Sequence, residues 1–164
     1  MSLNNQTVKI IEEHTNEGHY VHYSFSVTDL VAIQPWSITW DFQTECEFVA
    51  TSWRFRILFR QFSKKRRVSC SVSLKRRDSE KRGVKAFVWI SFFDVDGRSL
   101  FDFPKRIYSE GILPGDEMHG SIGDRFFRGQ TLYIGITIFI RCCHSESDLD
   151  HTTNVNTDDD RRCF

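Results

Sequence analysis

No run of this sequence is apolar for long enough to cross a bilayer, and the opening stretch MSLNNQTVKIIEEH lacks the hydrophobic segment that a secretory leader needs. Both absences point to an intracellular protein, cytoplasmic or nuclear, with no membrane partner. Net charge is missing too: Lys and Arg number 22, as do Asp and Glu, so no whole-molecule field draws in nucleic acid. Alanine and leucine are few beside 15 phenylalanines and the many isoleucines, valines and serines, a balance that disfavours helices. The five cysteines (Cys46, Cys70, Cys142, Cys143, Cys163) are odd in number and show no CxxC spacing. That fits free thiols in a reducing compartment rather than a disulfide framework, so the sequon at Asn5 is expected to stay unused. Cys163 is next to last, whereas prenylation needs its cysteine fourth from the end.

What is present reads as strands. The 164 residues suit one core, and hence one domain. Tyr23, Phe25 and Val27 alternate with His22, Ser24 and Ser26, and Trp36, Ile38, Trp40 and Phe42 alternate with polar neighbours, a period of two that no helix satisfies. Trp53, Phe55, Ile57 and Phe59 repeat the pattern against Arg54, Arg56 and Arg60, and Val68, Cys70, Val72 and Leu74 follow against serines. Residues 84–95 are apolar on both faces, with Val84, Ala86, Val88, Ile90 and Phe92 on one and Phe87, Trp89 and Phe93 on the other. Asp94-Val95-Asp96-Gly97 has turn chemistry, 99–103 reads as a short returning strand, and 104–131 as a long loop. Leu132, Ile134, Ile136, Ile138 and Ile140 mark a central strand. The expectation is an all-β antiparallel sandwich of about seven to eight strands. Residues 1–18 should be irregular, 19–143 the sandwich, and the acidic tail 144–164 disordered.

Several segments together resemble one family. Trp53-Arg54-Phe55-Arg56-Ile57, then Val72-Ser73-Leu74, then Trp89 to Gly97, framed by Phe25-Ser26-Val27-Thr28-Asp29-Leu30 and Phe126-Phe127-Arg128-Gly129-Gln130-Thr131-Leu132, occur in the order and spacing of a MATH (meprin and TRAF-C homology) domain. The closest resemblance is to speckle-type POZ adaptors, over about residues 20–141. It implies an eight-stranded sandwich that binds extended peptides in a shallow groove and serves as a ubiquitin-ligase substrate adaptor. Counting back from Gly97, the family's groove phenylalanine falls on Val88, beside Phe87, and its groove tyrosine on Ser73. The family's Trp-Gly-Phe groove segment belongs between Ile107 and Glu117, where this chain is shorter and offers Tyr108, Gly111 and Ile112. Peptide specificity therefore does not carry over. A POZ domain is not expected within the sequence, and residues 1–19 are too short for the coiled coil of a trimeric relative.

The candidate peptide-binding residues are therefore Ser73, Phe87, Val88, Trp89 and Tyr108. Either the loop 104–131 covers Phe87 and Trp89, or a partner peptide does. The alternative function is polyanion or nucleic-acid binding through 60–85, which holds eleven basic residues, Lys64, Lys65, Arg66, Arg67, Lys75, Arg76 and Arg77 among them, against Asp78 and Glu80. Solvated loops explain the same charge, and nucleic acid is not the expected partner. Cys142, Cys143, His144 and His151 could be read as zinc ligands, but adjacent strand residues point to opposite sides, so no metal or cofactor is expected. Asp94 and Asp96 lack the further oxygens of a calcium loop. With no phosphate loop and no nucleophile motif, the chain is not expected to be an enzyme.

Overall fold

The computed structural model describes residues 8–28, 36–62, 67–100, 105–126 and 131–141. Among these residues there is no helix; nine strands form two antiparallel sheets, as the period-two pattern requires. They are β1 (Lys9–Thr15), β2 (Gly18–Val27), β3 (Trp36–Thr44), β4 (Thr51–Phe62), β5 (Arg67–Arg76), β6 (Val84–Phe93), β7 (Lys105–Ile112), β8 (Glu117–Phe126) and β9 (Leu132–Arg141). One sheet has the order β1-β2-β9-β6-β7, the other β3-β4-β5-β8.

Two expectations need correction. Residues 9–15 are not irregular: they form β1, which pairs with β2 across the turn at Asn16 and Glu17, where the Thr15 hydroxyl donates to the Gly18 carbonyl at 3.1 Å. The span 104–131 is not one long loop, because it supplies β7 to one sheet and β8 to the other, joined by a turn in which the Leu113 amide donates to the Asp116 carboxylate at 2.8 Å. Of the returning strand expected at 99–103, Ser99 bridges Phe93 and the Leu100 amide donates to the Phe92 carbonyl at 2.9 Å, while 101–103 lie outside the described residues. The expected tail, 144–164, also lies outside them. The Asp94 turn forms as its residues imply: its Oδ1 accepts the amides of Asp96 and Arg98, both at 2.9 Å.

The two inner faces interlock over one core. Val21, Tyr23 and Phe25 of β2, the alternating isoleucines of β9 and the Val84-to-Phe92 face of β6 meet Phe42, Trp53, Phe55, Ile57, Phe59, Val72 and Leu74 from the other sheet. Rings cross the interface, Tyr23 stacking on Trp40 at 4.8 Å and Phe59 meeting Phe92 edge-on at 6.4 Å. Trp53 can be wholly buried because its indole N–H donates to the Thr51 hydroxyl at 2.8 Å.

One charge is buried with them. Arg76, 0% exposed at the end of β5, donates to Asp78 from Nε (3.0 and 3.1 Å) and Nη2 (2.9 Å), and to the carbonyls of Glu80 (2.8 Å), Arg82 (2.6 Å) and Ile112 (2.6 Å). Asp78 also accepts the amides of Ser52 at 2.9 Å and Glu80 at 3.1 Å. Burial by itself would raise the Asp78 carboxyl, but these hydrogen bonds and the Arg76 charge hold it below its ordinary value. Asp78→Ala, leaving the guanidinium buried without its counter-ion, is expected to cost about 3–5 kcal/mol in urea unfolding. Because the folded-state value is depressed, the Asp78 contribution is complete above the unfolded value of 3.8 and is lost as pH falls through the folded one. The acid limb of the stability profile should accordingly be shallower in Asp78→Ala than in the native protein.

Candidate functional site

A sandwich strand normally alternates apolar inside with polar outside, and the four-stranded sheet follows this rule except at Leu58, which lies between Ser37 and Ser71. Its outer face carries Ser37, Thr39 and Asp41 on β3, Arg54, Arg56 and Arg60 on β4, Ser71, Ser73 and Lys75 on β5, and His119 and Ser121 on β8. Arg54 and Asp41 face each other there in a bidentate pair at 2.7 and 2.8 Å.

The five-stranded sheet breaks the rule. Its register sets Tyr108, Phe87, Phe139 and Tyr20 side by side in one row across β7, β6, β9 and β2, ending at Glu13 on β1. Consecutive rings stack: Tyr108 on Phe87 at 4.5 Å, Phe87 near Phe139 at 5.8 Å, Phe139 on Tyr20 at 4.1 Å. Each such pair contributes about 0.5–1.5 kcal/mol beyond its buried area. Phe139, flanked on both sides, is only 6% exposed, whereas Tyr108 at the sheet edge is 46% exposed. The next row holds Arg106, Trp89, Thr137, His22 and Ile11, with Trp89 stacked along its strand on Phe87 at 5.6 Å. His22 Nδ1 meets the Thr137 hydroxyl at 3.0 Å, and its Nε2 lies 3.7 Å from Glu13. Lys85, nearly buried before the first row, reaches Glu110 on β7 at 3.7 Å.

The five sequence-predicted peptide residues thus divide. Phe87, Trp89 and Tyr108 come together on this surface. Val88 does not join them: it is 1% exposed and faces the core, as strand alternation from Phe87 demands. Ser73 lies on the outer face of the opposite sheet, beside Arg56 and His119. Among the described residues of 104–131, none forms the loop expected over Phe87 and Trp89: β7 extends the sheet edgewise, with its Tyr108 stacked on Phe87, and β8 joins the other layer. Of the basic residues, Arg76 is corrected outright, being a buried structural ion and not a surface cation. Lys75 and Arg77 are exposed, Arg67 opens β5, and Lys64, Lys65 and Arg66 lie outside the described residues.

Phe139 and Tyr20 escaped the sequence reading. The signal was present in Phe139, which interrupts the strict alternation of Ile134, Ile136, Ile138 and Ile140 with a second apolar face. Among the described residues, no group of three or more His, Cys, Asp or Glu is placed to hold a metal ion; Cys142, Cys143, His144 and His151 lie outside them. Burial raises the Cys70 thiol far above its ordinary value, which keeps it protonated and unreactive. No known protein-family profile matches the chain, and no curated protein matches it.

The two tryptophans separate core from surface. Trp53→Ala should lose about 3–5 kcal/mol, and Trp89→Ala less than half of that, in parallel urea titrations.

Proposed function

We propose that this protein is an interaction module that holds an extended segment of a partner protein against the outer face of its five-stranded sheet. The observation that carries the reading is the contrast between the two outer faces: one is serine- and arginine-rich, the other a stacked row of Tyr108, Phe87, Phe139 and Tyr20 with Trp89 beside it. Aromatic side chains offer large contact area for little lost rotamer freedom, which makes them the usual anchors of binding surfaces. Extended backbone fits the face because partner side chains at alternate positions can reach rows spaced about 6.8 Å apart along the strands.

The reading agrees with the resemblance to MATH domains, and the two-layer antiparallel architecture supports it. On that resemblance the module recognises substrates for a ubiquitin ligase inside the cell, in the cytoplasm or nucleus, with a partner protein supplying contact to the ligase. It performs no chemistry and needs no cofactor. The second reading, capture of a polyanion, is favoured by the exposed Arg54, Arg56, Arg60 and Lys75 on the opposite sheet.

Peptide-array capture followed by fluorescence titration separates the two. Trp89→Ala and Phe87→Ala should each weaken peptide binding about tenfold or more while the domain stays folded. Affinity should change little between 50 and 200 mM salt, settings at which a site making several phosphate contacts loses on the order of a thousandfold or more. A steep salt slope with no sensitivity at Trp89 would reverse the assignment in favour of the basic face.

A further inference from the structure

Glycine inside a central strand gives up side-chain packing and backbone entropy, and it persists where another backbone or a ligand needs the space. Three strand glycines have reasons within the fold, Gly111 of β7 through its positive φ of 59°. A Cβ at Gly18 would overlap the carbonyl of Ile140, and one at Gly120 the side chain of Ile107. Gly135, in the middle of β9, has no such reason. A Cβ there would meet only the ring edge of Phe93, at 4.0 Å, an ordinary contact, and Gly135 is not among the positive-φ glycines. A larger residue fits both the space and the backbone, and β9 lies at the centre of its sheet, where β-branched side chains are favoured.

The position opens outward. Gly135 stands opposite Ser91 on β6 and Ser24 on β2, two residues along from the Trp89 row, so its carbons form the floor of a depression of about 340 Å³. Phe93 and Tyr133 wall it on one side, Tyr133 being 45% exposed, and Lys9 of β1 stands at its mouth. The hollow thus has an apolar wall and one cation.

We propose that this hollow is a second pocket of the same peptide-binding face, taking an apolar side chain of the bound segment, with Lys9 pairing with an acidic residue beside it. The inference rests on the reading given under Proposed function and adds spacing and charge to it. Gly135 is four residues from Phe139 along β9, about 13 Å, and an extended ligand rises about 3.3 Å per residue. The partner therefore carries two apolar anchors four positions apart, the first on the Tyr108–Phe87 row, the second over Gly135, with Asp or Glu two positions beyond the second, on the same side of the extended segment.

The test uses labelled ten-residue peptides of Ser and Thr bearing two leucines three, four or five positions apart, with Glu or Lys two positions after the second. The native protein should prefer the four-residue spacing with Glu by about tenfold. Gly135→Val, which fills the hollow, should keep or raise the melting temperature yet lose that preference, and Lys9→Glu should invert the choice between Glu and Lys. Gly135→Ala, a smaller intrusion, should give a partial loss and stands in should the valine variant misfold. Unchanged spacing and charge preferences in these variants, with Trp89→Ala still abolishing capture, would sink the second pocket and leave the binding face standing. Capture of no peptide by the native protein would overturn both.

Discussion

The guanidinium of Arg76 joins the two layers of this sandwich at one end. Its donors reach the 78–82 segment and the carbonyl of Ile112, so a residue of the four-stranded sheet fixes both the approach to β6 and the end of β7 in the other sheet. The Arg76 backbone takes part too, its amide donating to Asp116 and its carbonyl accepting from Gly115. Arginine cannot shed its proton to escape burial, so these partners must assemble around it or the charge remains uncompensated. With the start of β6 and the end of β7 held this way, Val84 pairs with Ile112; the register then shifts by one residue before Ala86 meets Ser109, and beyond that irregularity Phe87 stands opposite Tyr108.

The sandwich needs apolar residues only on its inner faces. Its four-stranded sheet meets water mainly with serines, arginines and an aspartate, Leu58 apart, whereas the five-stranded sheet continues apolar on the far side of β6 and β9. Stacking among the rings lowers the exposed area of the inner members of the row, leaving ring edges and the ends of the row toward solvent.

How far the sequence led varied with burial. Strands with one fully buried face, such as Trp53 to Phe59 and Leu132 to Ile140, write their period directly, because every second residue must enter the core. Edge strands do not. In β1 the run Ile10-Ile11-Glu12-Glu13 has no alternation since both faces are exposed, and in β8 Gly120 stands where a large apolar residue would have marked the inner face. β7 mixes Arg106, Ser109 and Glu110 with Ile107 and Tyr108, as an edge with one neighbouring strand allows. The site was half legible: Phe87 and Trp89 declared themselves through a two-faced strand, but Phe139 and Tyr20 join them only through register across strands far apart in sequence. Arg76 misled for the same reason, since its partner Ile112 is 36 positions away and nothing local distinguishes it from the lysines and arginines around it.

The pairing of β2 with β9 sets an order on the birth of the molecule. These strands lie side by side along their whole length, from Gly18 beside Arg141 to Val27 beside Leu132, and the link between His22 and Thr137 spans 115 positions. On a ribosome β2 is therefore made long before β9, so Val21, Tyr23 and Phe25 wait with only β1 beside them until the second neighbour emerges. That delay leaves a greasy, half-paired ribbon open to wrong pairings during synthesis.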